Sequence, residues 1–378
     1  MVDERRRADG AGPFELFFDL VYVFAVIRIT AYMAHEHTAI GVVRGLLTLA
    51  LLWGTWSGYS WPGNPSRAGM VVAMVLMFPI ALTIPEAWHD GPGGLDGPLV
   101  LVLAYLLVRW VHLGSHAVAG DAPQRRMRVT RLPMLAGAAP LISGALLGGG
   151  AQLVLFAVAV LVEWVGGDLA ARRRGLHDAA QLAERHGLFV TLAIGESVVA
   201  IGIGAAGQPV SLSLLLAGVL GIATAICLWW LYFDVVSRAA ERRLEEAHGR
   251  DRVALAVEAY TYGQFPIVAG ILLAALGVGG VLGRAGESRP LGLFSALALF
   301  GGLALYLGGH LVFEHRVHGA HSVPRLLTAG ALLVVVPAAA ALPPLAGLAG
   351  LVVILTGLIV VETGQNAELR QRLRAGPS

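Results

Sequence analysis

The stretch 210–234, VSLSLLLAGVLGIATAICLWWLYFD, decides the architecture. Its first charged side chain is its last residue, Asp234, and the small polar residues before it are only Ser211, Ser213 and Thr224. A near-continuous apolar run of about 20 residues is the length that crosses ~30 Å of hydrocarbon. The run does not alternate and is too long for a barrel strand. A helix, which satisfies its own backbone groups where no water can, is therefore the required form.

Eleven more runs of this kind surround it, at 14–33, 40–60, 69–88, 98–118, 131–148, 151–169, 186–206, 254–282, 291–314, 324–341 and 345–363. Short breaks at Gly148-Gly149-Gly150 and at Pro343-Pro344 divide the fifth run from the sixth and the eleventh from the twelfth. The composition agrees: 56% of the 378 residues are hydrophobic, only 14% are charged, and the mean hydropathy is +0.71. Ordinary soluble domains carry roughly 25% charged residues, so too little charge is present to coat a water-facing surface. The expected fold is an all-α integral membrane protein of about twelve transmembrane helices. The polar start through Arg7 leads straight into a span holding Asp19, without a small-residue cleavage site, so the first span is expected to be retained. The single cysteine, Cys227, forms no intrachain disulfide and says nothing of redox compartment.

Every basic residue is arginine, and the arginines orient the helices. With the N-terminus in the cytoplasm, the inner segments hold Arg5–Arg7, Arg67, Arg125, Arg126, Arg128, Arg131, Arg172–Arg174, Arg185, Arg238, Arg242, Arg243, Arg250, Arg252, Arg316, Arg325, Arg370, Arg372 and Arg374. The outer loops hold Arg284 and Arg289, while Arg28, Arg44 and Arg109 fall within spans. Retention of positive charge inside predicts an N-in, C-in topology. An internal duplication is also legible. Leu52-Trp53 with Trp56 is echoed by Leu228-Trp229 with Tyr232, and Phe78-Pro79-Ile80 by Phe265-Pro266-Ile267. Pro133 matches Pro324, and Leu161-Val162-Glu163 matches Val360-Val361-Glu362. Each pair is offset by six spans, an even number, which implies two parallel repeats. The expected organisation is a cytoplasmic tail at 1–12, a first six-helix repeat at 13–175, a second at 176–366 and a cytoplasmic tail at 367–378.

The segment Pro13-Phe14-Glu15-Leu16-Phe17-Phe18-Asp19-Leu20-Val21-Tyr22-Val23-Phe24-Ala25 resembles the bacterial low temperature requirement A (LtrA) family. A second match is Glu184-Arg185-His186-Gly187-Leu188-Phe189, continuing to Gly195-Glu196-Ser197-Val198. The two motifs open the two halves, and the resemblance extends from residue 13 to about 372. It implies a multi-pass protein of the bacterial cytoplasmic (inner) membrane, linked by the family's name to growth at low temperature. It implies no reaction. The Arg-only, Ala/Gly-rich usage points to a high-GC bacterial source.

An ionisable side chain at span depth costs about 2.5–3.5 kcal/mol on insertion scales, so each one needs a partner, water or a purpose. Glu15 and Asp19 share a face of the first span, four residues apart. Asp19 reads either as a proton- or cation-binding carboxylate or as a structural acid bonded to a neighbouring helix. Glu196 lies near mid-span in the second half, with Gly195, Gly202 and Gly204 allowing another helix to approach. Arg109, His112 and His116 line one face of the fourth span, and a pairing of Arg109 with Glu196 or Asp19 would offset its insertion cost. His310 and Glu314 share a face of the tenth span, where a proton relay is the reading preferred over a metal site. Glu163 and Glu362 occupy matching positions and read as a gate or as helix-end ties to arginines. Arg28 and Arg44 read as snorkelling outward. Trp53, Trp56, Trp61 and Trp88 read as an aromatic belt, and Pro79, Pro85 and Pro266 as helix breaks. The stretch Arg238 to Arg252 reads as a charged cytoplasmic extension of the eighth helix and not as a nucleic-acid surface.

The sequence holds no phosphate-binding loop and no catalytic signature. The expected function is a secondary transporter or proton/ion-coupled permease. Asp19, Arg109, Glu196, His310 and Glu314 would form its path, with Glu15, His112, His116, Glu163 and Glu362 in secondary positions. The expected partners are the lipid bilayer and a small ion or solute, with no cofactor, no metal and no nucleic acid. Two alternatives stand beside it: a membrane-embedded enzyme or lipid-modifying factor using His310/Glu314 or His112/His116, and a non-transporting stress-adaptation scaffold.

Overall fold

The structure, a computed structural model, describes residues 12–62, 66–89, 96–118, 124–176, 178–206, 208–234, 236–287, 289–319 and 321–365. The side chains of 116–118, 124–134, 173–174 and 318 lie outside that description. So do the expected tails at 1–12 and 367–378, Gly12 excepted.

The described residues form helices and no strand. The long helices are α1 (Pro13–Glu36), α2 (Ala39–Ser60), α3 (Arg67–Glu86), α4 (Asp96–Val118), α5 (Gln124–Leu147), α6 (Gly149–Arg174) and α7 (Ala179–Ala205). After α8 (Leu212–Phe233) comes the short charged helix α9 (Val236–Glu246). The chain continues with α10 (Gly249–Leu282), α11 (Leu293–Val317), α12 (Val323–Ala341) and α13 (Pro344–Gln365). Among the described residues, 11 helices are long and apolar enough to cross a membrane. The exception among the long helices is α5, whose apolar part is only Leu135–Leu147, because Arg125, Arg126, Arg128 and Arg131 occupy its first turns. The charged stretch Val236–Glu246 is helical and follows α8, with residue 235 outside the described residues.

The helix ends follow from local chemistry. The Oγ atoms of Thr38, Ser66, Ser211 and Ser322 accept from the first-turn amides of α2, α3, α8 and α12. Pro13 sits in the first turn of α1, where a missing N–H costs nothing. Gly148, with φ +69°, makes the tight break between α5 and α6, and a Cβ there would lie 2.6 Å from the His89 ring. Pro266 cannot donate a hydrogen bond to the preceding turn, and the π-helical stretch Ala256–Gly263 lies just upstream of it. Large apolar side chains such as Phe17, Leu20, Val75, Leu103, Val154, Val219 and Val334 are exposed on the long helices, a surface suited to lipid and not to water.

The chain divides into two compact units, one of residues 1–189 with 248–257, the other of 190–247 with 258–378. In the first unit, α1 packs on α2 and α3, α3 on α4, α4 on α5, α5 on α6, and α2 on α6. Gln152 on α6 ties this unit at one end by donating to Ala87 O at 2.6 Å. In the second unit, α10 packs on α11, α11 on α12, α12 on α13, and α8 on α13.

Contact between α10 and α11 is made through glycine. A Cβ at Gly270 would lie 2.5 Å from Tyr306 N, and one at Gly277 would lie 2.6 Å from Leu299 Cα. From the facing helix, Cβ atoms at Gly302 and Gly309 would meet backbone nitrogens of α10 at 2.7 and 2.8 Å. Lipid tails are as apolar as leucine, so close backbone approach and its dispersion contacts replace the hydrophobic effect as the source of association. Gly270→Ala is expected to force the helices apart and cost about 1–3 kcal/mol, whereas Gly308→Ala, with nothing within 4 Å of the new carbon, leaves stability unchanged. Unfolding of the two variants in bicelles checks this, and equal stability would refute the close-packing account.

Candidate functional site

Asp19 lies a turn and a half into α1 and is fully buried. Its Oδ1 accepts from the Trp56 indole of α2 at 2.7 Å and from Arg185 Nη2 of α7 at 2.7 Å. Arg185, only 4% exposed, also donates from Nη1 to Tyr59 O at 3.0 Å and lies over the Phe18 ring. His186 Nδ1 bonds Leu182 O at 2.9 Å, which fixes the ring with its proton on Nδ1. That ring stands edge-on to Trp53 and Trp56, and Phe189 packs on both indoles. Trp53 and Trp56 are thus core residues around an ion pair, not belt residues, and Trp88 is buried as well.

A second ion pair in the same unit joins Arg109 of α4 and Glu163 of α6, with Nε and Oε1 3.8 Å apart. Tyr105, one turn before Arg109, donates its hydroxyl to Glu163 Oε2. The pairing of Arg109 expected from the sequence, with Asp19 or Glu196, differs from this arrangement: its acid is Glu163, and the base of Asp19 is Arg185. The two pairs flank Tyr59, whose carbonyl accepts from Arg185 and whose hydroxyl donates to Val108 O at 3.1 Å. His112, on the Arg109 face, is buried with its ring against Tyr59. Glu15 is half-buried, with its carboxylate folded toward Gly12. Arg28 and Arg44 turn toward protein as well as outward, Arg28 donating to Ala81 O at 3.4 Å and Arg44 lying over the Trp88 ring.

The second unit holds its own cluster, centred on Arg325 in the first turn of α12. This guanidinium, 3% exposed, makes a two-pronged contact with Glu362 of α13, Nε to Oε1 at 2.7 Å and Nη2 to Oε2 at 2.8 Å. Nη2 also donates to Leu231 O at 3.1 Å, and Nη1 donates to His310 Nδ1 at 2.7 Å. Glu314 Oε1 lies 2.8 Å from the same Nη1. Because His310 Nδ1 accepts, the imidazole is neutral. Tyr232 and Tyr306 pack on its ring, and Tyr306 donates to Leu228 O at 2.6 Å. Gln264 donates to the Tyr232 hydroxyl. A small recess lined by Trp230, Asp234, Arg325, Glu362 and Thr363 opens beside the cluster.

The cation position is locally unfavourable, since an arginine in the first turn meets the positive end of the helix dipole. The acids offset it, and Ser322, the cap of α12, gives Glu362 Oε1 a further donor at 3.0 Å. Arg325 therefore sits between two carboxylates, and His321 lies near Glu314.

Of the expected path residues, Asp19 and Arg109 fall in two ion pairs of the first unit, while His310 and Glu314 meet on Arg325. Glu196 is buried in the part of α7 assigned to the second unit. Of the three glycines near it, Gly204 makes a close approach, 3.1 Å to the Gly279 carbonyl, while Gly195 and Gly202 have nothing within 4 Å. The His116 side chain lies outside the described residues. Among the described residues, no group of three or more His, Cys, Asp or Glu is arranged to hold a metal ion. Sequence reading missed the two organising cations, Arg185 and Arg325, by placing them in cytoplasmic loops. Arg185 stands inside the Glu184-Arg185-His186-Gly187 motif, and that placement was the available signal.

Comparison with known proteins accords with this architecture. No solved structure matches the chain. An uncharacterized protein of Rhizobium meliloti (strain 1021) is 29% identical over 290 residues, covering 70% of this chain and 67% of that protein. The sequence model described as bacterial low temperature requirement A protein (LtrA) matches residues 10–360. The chain, a multi-pass membrane protein by its apolar helices, therefore belongs to the bacterial low temperature requirement A family.

Proposed function

We propose that this protein is a secondary transporter of the bacterial cytoplasmic membrane that couples solute movement to a proton or monovalent cation bound at the Arg325 cluster. The observation that carries this reading is the charge balance. Glu314 and Glu362 share the Arg325 guanidinium beside a neutral His310, which leaves one negative charge whenever the nearby His321 is neutral. A buried charge without compensation costs several kcal/mol, and a bound proton or cation is the simplest remedy. Glu362 is locked in its two-pronged contact, so Glu314, which meets Arg325 through one oxygen and has the Ser322 backbone and His321 beside it, is the seat for the exchangeable charge. The neighbouring recess reaches the cluster at Arg325 and Glu362.

The same reading includes two parallel six-helix repeats with both termini inside. It is supported by a recurring constellation. Tyr105 and Arg109 on α4 meet Glu163, while Tyr306 and His310 on α11 lie with Glu362 around Arg325. In each unit an aromatic hydroxyl and a basic residue four positions later share a face near the matching acid. A link to growth at low temperature belongs to this proposal through the family's name.

Reconstituted full-length protein on a solid-supported membrane tests the function. A pH jump is expected to displace charge in the wild type, and Glu314→Gln is expected to reduce that current to the protein-free level. Equal currents in wild type, Glu314→Gln and empty membranes would refute coupling at this cluster.

A further inference from the structure

We infer that the first unit holds a file of bound water that runs from Asp19 to Glu163 and carries protons between these two carboxylates. This rests on atoms the ion pairs leave over, not on the Arg325 cluster. Both donors to Asp19 converge on Oδ1, so Oδ2 of a fully buried carboxylate has no partner among the described residues. Arg185 spends Nη1 and Nη2 on Tyr59 and Asp19, and its Nε has none among the described residues. At the other pair, Arg109 Nε and Glu163 Oε1 stand 3.8 Å apart, and neither has a hydrogen-bond partner among the described residues.

Two unmet donors and two unmet acceptors thus occur at two neighbouring ion pairs of one unit. Left dry, each would cost about 1–3 kcal/mol, more for charged groups. Water supplies both donors and acceptors and occupies polar interior sites of this kind. A polar contact beyond 3.5 Å is the usual mark of such a bridge. Gly137 of α5 packs closely on Glu163, a Cβ there lying 3.0 Å from Cγ and 3.4 Å from Oε1. Between the pairs stands the buried Tyr22, which interacts electrostatically with both Asp19 and Arg109 and approaches the Thr55 hydroxyl. At the near end Glu15, on the Asp19 face of α1, leads to the start of the helix.

Conduction along such a file needs no further reactant. A proton taken up at Asp19 Oδ2 passes to the adjacent water, each hop forms one O–H bond as the next one breaks, and the last water delivers a proton to Glu163 Oε1. Release from Glu163 restores the starting charges. The ligand class is water and its excess proton, with no electron transfer.

Hydroxyl-radical footprinting of the wild-type protein in nanodiscs, read by mass spectrometry, tests the water directly. Tyr22 and Tyr105 are expected to label well above buried Phe156 after correction for intrinsic reactivity. Labelling no higher than Phe156 overturns the inference. Proteoliposomes under a potassium diffusion potential test conduction: proton entry is expected to exceed that of empty vesicles, and to fall toward it in Asp19→Asn and in Glu163→Gln. Entry no faster than in empty vesicles, or unchanged in both variants, overturns it too. Neither readout depends on Glu314, so failure here leaves the proposed coupling at Arg325 to its own test.

Discussion

Arg325→Met is expected to cost the folded protein about 3–5 kcal/mol, the range for removing one partner of a buried ion pair. The loss of packing is small, because methionine retains much of the apolar stem. The penalty arises from what is left behind. Glu314 and Glu362 would face each other with no cation between them, and Leu231 O and His310 Nδ1 would lose their donor. Arg325→Lys is expected to recover little, since an ammonium cannot reproduce the fork that meets both oxygens of Glu362. Adding Glu362→Gln to Arg325→Met should return part of the stability, because the second change removes the charge the first one stranded. Steric-trapping or thermal unfolding in bicelles measures all four proteins. An Arg325→Met variant within about 0.5 kcal/mol of wild type, the range for ordinary surface substitutions, would show that the cluster does not hold α11, α12 and α13 together.

The helical architecture was legible because hydrocarbon leaves the backbone few options, and eleven of the apolar runs fall on helices long and apolar enough to cross a membrane among the described residues. Boundaries were least legible where polar chemistry enters a helix. The first turns of α5 are arginine-rich, and α7 begins at Ala179, seven residues before the apolar run at 186 announces it. Its charged first turns hold Arg185, which explains why that residue read as a loop cation. Arg325 was hidden in the same way by its place two residues after the start of α12. Hydropathy averages over a window and assigns a charge near a run's edge to water. The actual burial of that charge is set by tertiary partners that lie 166 residues away for Arg185 and 37 for Arg325. The acids were legible for the opposite reason: Asp19, Glu196 and Glu163 stand inside runs where an unpaired charge could not persist, although their partners could not be named.

The tryptophans were misread through the same averaging. An indole near a span end is usually amphipathic anchorage at the headgroups, yet an indole N–H is also one of the few donors that brings a large apolar body with it. Trp56 uses this property inside the first unit, where it gives Asp19 a hydrogen bond while its ring fills the space between His186 and Phe189. The first motif, around Asp19, and the second, around Arg185, therefore meet through one ion pair and one indole. That meeting supplies a physical reason for both motifs to occur in one chain.

The Asp19–Arg185 pair should show the strongest coupling in the first unit. Asp19→Asn and Arg185→Met are each expected to cost about 3–5 kcal/mol, because each leaves the other member charged and buried. The double variant is expected to fall short of the sum by about 1–3 kcal/mol, since once one charge is gone the other is a liability whose removal helps. Trp56→Phe, which deletes one hydrogen bond to the carboxylate while keeping an aromatic ring, should cost less, about 1.5–3 kcal/mol. A thermodynamic cycle over wild type, the two single variants and the double variant, measured by reversible unfolding in bicelles, gives the coupling directly. Strict additivity would mean that the two groups do not share one stabilising contact. In that case the motif at the start of α1 and the motif at the start of α7 would need separate explanations, and Asp19 would stand as an acid whose burial has no structural cause.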